Sequence, residues 1–252
     1  MNNTIRSNTL NARNIAIIGL LGAVTAVLGM TPLGFIPIGP TRATILHIPV
    51  IIGAILYGPM VGGFVGLIFG GFSFFNAITN PTPVSFVFLN PIVSIFPRIM
   101  IGMGSYYAYE GVKKLGAKNF KWILFALVSG ISAYLLYGIY NNIIEKNWIN
   151  IGINIILLVL TIGIIYLAKK KYNFESLEIM MAAIIGTMIN TLGVLSLIYF
   201  LYGERFVAAI GQNIETTRKI IFGIGIVNGI PESILATILV TSVVNAVMRK
   251  YK

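Results

Sequence analysis

The chain has 252 residues, of which 57% are hydrophobic and only 10% charged, whereas a soluble domain is roughly 25% charged. A globule of 27.4 kDa would expose about 11,000 Å² by area scaling, and 18 basic with 7 acidic residues are too few to wet it. The solvent of this chain is therefore a bilayer. Every acid is Glu, Asp and Cys are absent, and His47 is the only histidine. That excludes disulfides, thiolate chemistry, a Ser-His-Asp triad and a His-rich metal site, so neither enzyme chemistry nor a cofactor is expected. The net charge of +11 sits beside apolar runs, where membrane topology accounts for it, and nucleic acid is not an expected partner.

Apolar runs close to the roughly 20 residues that cross a bilayer predict eight spans, at 14–30, 45–57, 60–78, 86–111, 121–140, 150–168, 177–202 and 220–248. The expected fold is an all-α polytopic membrane protein forming one membrane domain over 1–252, its first span retained rather than cleaved. The second run is short and ends at Gly58-Pro59, which suits a tilted or partial span packed inside protein. With both termini cytoplasmic, 12 Lys and Arg fall inside and 5 outside, while Arg98 lies within a span; the positive-inside rule selects that orientation.

The first external connection, TPLGFIPIGPTRAT, combines three prolines with Leu33, Phe35, Ile36 and Ile38. Two readings fit it. It folds back on the bundle as a lid, since those side chains are costly in water, or it is a tight linker at headgroup level. The later external loop, GERFVAAIGQNIETTRK, is long enough for a surface helix.

Charges at mid-membrane depth are expensive and mark sites to inspect first. Arg98 follows Pro97 on the fourth span and Glu232 follows Pro231 on the last; a proline frees nearby carbonyls, which is tolerated where a helix lines a cavity. Asn90, Ser94 and Arg98 are spaced by four, Thr187, Asn190 and Thr191 share a face, and so do Asn228 and Glu232. Three helices thus present polar groups to one pocket opening outward, with Arg42 and His47 at its mouth. One reading is an Arg98–Glu232 salt bridge with the asparagines joining helices. The other is a binding site in which Arg98 meets a substrate carboxylate, and the two are compatible if Glu232 steadies Arg98. His47 suits a hydrogen-bonding group at a helix terminus as well as a ligand contact.

Small residues form a second pattern. Gly62, Gly66 and Gly70 recur every four residues on the third span, and Gly19 with Ala23 and Gly22 with Ala26 do so on the first. Such faces permit close helix approach, inside the bundle or, for the first span, on a separate membrane protein. No G-x-x-x-x-G-K-[ST] phosphate loop occurs, so any ATP-derived energy comes from elsewhere.

The stretch HIPVIIGAILYGPMVGGFVGLIFGGFSFF, followed by NPIVSIFPRIMIG and then NGIPESILATIL, resembles the substrate-binding S subunits of energy-coupling factor (ECF) vitamin transporters, and among them the pantothenate-type members. The resemblance implies a six-helix binding subunit of a prokaryotic cell membrane. It captures a vitamin from outside and works with a membrane scaffold subunit and two cytosolic ATPases. It places scaffold docking on Gly19, Gly22, Ala23 and Ala26. The family-like core is 14–111 and 177–248, and 120–170 is an added pair of spans entering and leaving on the cytoplasmic side. An Arg-centred pocket suits pantothenate, while folate or riboflavin remains open. A stand-alone secondary carrier is the rival class, although no internal repeat is seen.

Overall fold

The computed structural model describes residues 11–31, 34–38, 41–115, 117–170 and 174–250. It is an all-α membrane protein apart from one small β-hairpin. Helix α1 (Ala12–Met30) is capped by Asn11, whose side chain accepts from the Asn14 N–H at 2.8 Å. Strands β1 (Phe35–Ile38) and β2 (Thr41–Thr44) then pair antiparallel, Phe35 opposite Thr44 and Ile38 opposite Thr41. The connection expected to be a lid or a linker therefore contains regular structure. Leu33 and the side chains of Phe35, Ile36, Ile38 and Arg42 lie outside the described residues.

Helix α2 (Ile48–Tyr57) has ten residues, nine of them buried. At about 15 Å it cannot cross a hydrocarbon core of about 30 Å, and its all-apolar sequence suits a position inside protein, as expected of a partial span. Gly58 adopts φ 102°, a conformation open to glycine, and this turns the chain into α3 (Pro59–Thr79), which starts on a proline.

The predicted continuous span 86–111 is not one helix. The chain makes a 3₁₀ turn (Ser85–Leu89), a single helical turn α4 (Pro91–Ser94), and only then α5 (Phe96–Leu115). Pro91 and Pro97 explain the interruption, because neither supplies the N–H that would bond back to the preceding turn. Helices α6 (Ala117–Ile144) and α7 (Trp148–Lys170) form a hairpin. Helix α8 (Phe174–Ala209) runs on through the start of the segment GERFVAAIGQNIETTRK, expected above as an external loop, and α9 (Thr217–Lys250) contains Pro231. Among the described residues, five helices are long and apolar enough to cross a membrane: α1, α3, α6, α8 and α9.

The core surrounds α2, whose Val50, Ile51 and Ile55 meet Val65 of α3, Ile101 of α5 and Val240 of α9. Helices in lipid gain little from excluding water and depend on close packing, and the α3–α5 contact is made that way. A Cβ at Gly66 would run into the Arg98 carbonyl, one at Gly70 would meet the Ile95 backbone, and one at Gly62 would crowd Gly102. The four-residue glycine spacing on α3 is thus an internal packing face. Large apolar side chains such as Leu20, Trp122, Ile149 and Phe200 point outward, as a lipid-facing surface requires. The α6–α7 hairpin lies on the flank, where Val128, Leu135 and Leu157 pack against Met180, Met181 and Ile234.

Candidate functional site

Pro97 has no N–H, so the carbonyl four residues earlier, Val93, loses its helical donor. The neighbouring side chain supplies one: Arg98 Nη1 donates to the Val93 carbonyl at 2.7 Å. The guanidinium also lies 5.3 Å from the Phe69 ring centroid and 5.5 Å from that of Phe88, within cation–π range. Arg98 is 6% exposed, and its Nε is buried without a hydrogen-bond partner.

Glu232, 3% exposed, uses both carboxylate oxygens elsewhere. Thr44 N–H donates to Oε1 at 2.8 Å, and the Thr191 hydroxyl donates to Oε2 at 2.8 Å. Arg98 and Glu232 are near enough to attract each other electrostatically but make no direct ion pair, which corrects the salt-bridge reading. Glu232 instead joins the hairpin strand β2 to α8 and α9.

His47, completely buried, sits at the N-cap of α2. Its Nε2 lies 3.0 Å from the Thr187 hydroxyl, which itself donates to the Ala183 carbonyl at 2.8 Å. His47 Nδ1 has no partner. Asn190, on α8 between Thr187 and Thr191, is 5% exposed and its Oδ1 is also unpartnered. Unbonded polar atoms inside a folded protein are costly and uncommon. Here Arg98 Nε, His47 Nδ1 and Asn190 Oδ1 share that condition, as do the hydroxyls of Ser105, Ser233 and Thr241.

Other predicted residues are committed to local structure. Asn90 caps α4, its Oδ1 accepting from Ile92 N–H at 3.0 Å while its Nδ2 donates to the Tyr202 hydroxyl at 3.1 Å. Ser94 donates to the Asn90 carbonyl at 3.2 Å. The break between α4 and α5 separates both from the stripe that regular helical spacing would have shared with Arg98. Asn228 is half-buried one turn before Glu232. The Arg42 backbone pairs with Pro37.

On α1, Gly22 turns inward, where a Cβ would strike Ile68, whereas Gly19 meets nothing and Ala23 is exposed. Ala26 is half-buried, so the four small residues do not form one face. Among the described residues no cluster of His, Cys, Asp or Glu suits a metal ion.

The sequence places Thr187 on the polar face of its span but offers no site role for Thr44, Phe69 or Phe88. The polar pair Thr187 and Thr191 within an apolar span was a usable signal. A backbone N–H and two phenylalanines among fifteen carry none.

Comparison with known proteins gives this geometry a context. Residues 13–144 and 122–244 match the family described as ECF transporter, substrate-specific component. The chain is 31% identical over 160 residues to a pantothenate transporter PanT of Leuconostoc mesenteroides, covering 60% of this chain and 76% of that protein. It is 32% identical over 123 residues to a pantothenic acid transporter PanT of Lactococcus lactis, a match covering 42% of this chain and 63% of that one. The chain therefore belongs to the substrate-specific components of ECF transporters, and is a multi-pass transport protein of the bacterial plasma membrane rather than an enzyme.

Proposed function

We propose that this chain binds pantothenate from outside and is the substrate-capturing subunit of its importer. The observation that carries the reading is Arg98, a buried cation held between Phe69 and Phe88, with a free Nε and, among the described residues, no carboxylate in direct contact. A buried guanidinium is stabilised by an anion that completes its hydrogen bonds, and pantothenate brings one carboxylate. The pantothenate named for the two relatives agrees with it. His47 and Asn190 complete the polar lining, and Glu232 holds the β-hairpin over the site as a lid. Asn228 flanks the same face, while Asn90 and Ser94 shape the outer wall.

A scaffold subunit in the membrane and two cytosolic ATPases supply the energy that a chain without a phosphate loop does not. The outward face of α1 around Gly19 and Ala23 is the docking surface, with Ala26 at its edge. The binding core is 14–111 with 177–248, and 120–170 is an inserted hairpin.

Calorimetry on the purified chain with pantothenate, folate and riboflavin tests the substrate. Arg98→Ala is expected to lower pantothenate affinity by about 2 to 5 kcal/mol, as for one side of a buried charged contact. Unchanged affinity in a folded variant removes Arg98 from the site, and binding of another vitamin instead of pantothenate replaces the substrate. Uptake by proteoliposomes holding this chain alone would favour a stand-alone carrier.

A further inference from the structure

We infer that His47 is a specificity-determining residue whose Nδ1 lone pair accepts a hydrogen bond from a substrate hydroxyl, so that the site selects hydroxylated carboxylates. This rests on the pantothenate reading and adds the chemistry at the other end of the ligand.

The available hydrogens fix the tautomer of His47. The Thr187 hydroxyl has one, and it is committed to the Ala183 carbonyl at 2.8 Å. In the 3.0 Å contact with His47 Nε2 the threonine oxygen is therefore the acceptor and Nε2 carries the hydrogen. A neutral imidazole has one N–H, which leaves Nδ1 a bare lone pair in a completely buried ring. The opposite tautomer strands a buried Nδ1–H and takes the hydroxyl from Ala183. A doubly protonated ring strands the same N–H and adds a second buried cation near Arg98. Both cost more than an unmet acceptor.

A lone pair repels a carboxylate and attracts an O–H or N–H. Asn190 Oδ1 has the same demand, whereas Arg98 Nε has the opposite one. The set of two acceptors and one cationic donor calls for a ligand that is anionic at one end and carries hydroxyl or amide hydrogens elsewhere. Pantothenate, with one carboxylate, two hydroxyls and an amide N–H, meets it. His47 is also rigidly placed: its carbonyl accepts from Ile51 N–H at 3.1 Å in the first turn of α2, and Leu46 N–H donates to the Thr44 hydroxyl at 3.2 Å just before it.

Because His47 is the only histidine in the chain, labelling with ¹⁵N-histidine reports this ring alone. The unliganded chain is expected to show a protonated Nε2 and a bare Nδ1, and saturation with pantothenate should move the Nδ1 resonance upfield as it accepts a hydrogen bond. Affinities for pantothenate and for 3-[(3,3-dimethylbutanoyl)amino]propanoic acid, which lacks both hydroxyls, give the second readout. The unaltered chain should prefer pantothenate by about tenfold or more, the size of one well-placed hydrogen bond. His47→Leu should erase most of that preference while still binding the carboxylate, and His47→Asn, which restores an acceptor near the Nδ1 position, should recover part of it. A protonated Nδ1, or an Nδ1 signal unmoved while calorimetry shows pantothenate bound, overturns the assignment to His47 alone. An unchanged preference in His47→Leu does the same. Absence of pantothenate binding by the unaltered chain overturns the substrate reading and this inference with it.

Discussion

The Thr44 N–H and the Glu232 carboxylate meet at 2.8 Å across 188 residues of chain, tying the base of the β1–β2 hairpin to the middle of α9. The second carboxylate oxygen takes the Thr191 hydroxyl at 2.8 Å, so one buried acid holds the hairpin, α8 and α9 together. Bonds from neutral donors to a buried carboxylate are worth about 1.5 to 3 kcal/mol each.

Glu232→Gln should loosen this anchor, because an amide cannot accept from Thr44 and Thr191 at both of its ends. Limited trypsin digestion followed by mass spectrometry is expected to show faster cleavage after Arg42 in the variant, with helical content unchanged. Equal cleavage rates would mean that the hairpin is held by other contacts.

Glycine substitutions on α3 should separate packing from open space. In Gly66→Ala the new Cβ meets the Arg98 carbonyl, in the backbone that carries the proposed site cation, whereas in Gly71→Ala it meets nothing within 4 Å. Thermal unfolding in detergent should show Gly66→Ala destabilised by about 1 to 3 kcal/mol, as for overpacking, with weaker pantothenate binding. Gly71→Ala should stay within about 0.5 kcal/mol of the unaltered chain.

The outward face of α1 should tolerate bulk in the isolated chain and not in the importer. Gly19→Leu combined with Ala23→Leu is expected to abolish copurification with a scaffold and its ATPases while leaving pantothenate affinity nearly intact. Gly22→Leu should instead reduce the yield of folded protein, because that position abuts Ile68. If the double variant keeps its partners, docking occurs on another face.

The α6–α7 hairpin should be dispensable for binding. Thr44, His47, Arg98, Thr187, Asn190, Thr191 and Glu232, the residues of the proposed site, all lie outside 120–170. Replacing that segment with a short linker exposes Met180, Met181 and Ile234 to lipid rather than water, at the cost of packing alone. Calorimetry should return pantothenate affinity within a few-fold of the full chain. A large loss would place part of the site on the hairpin.

Composition alone determined that this chain is a membrane protein, since 10% charge cannot cover a soluble globule. Periodicity and proline placement located Arg98 and Glu232 at depth and marked α2 as a buried partial span, and the α3 glycine spacing announced a close helix contact. These properties are local: they follow from hydropathy, from a missing N–H or from a missing Cβ, and each can be read within a few residues of the chain. Partner choice was not local. Whether Arg98 pairs with Glu232 depended on a Thr44 N–H, a Thr191 hydroxyl and a Val93 carbonyl competing for the two charges, and those competitors come from β2, α8 and α4. Spacing by four likewise placed Asn90 and Ser94 beside Arg98, but Pro91 and Pro97 interrupt the helix that would have aligned them. The inward turn of Gly22 was set by Ile68 on another helix. Only tertiary structure decided these, because a buried hydrogen bond goes to whichever partner packing brings within about 3 Å, and distance along the chain says nothing about that.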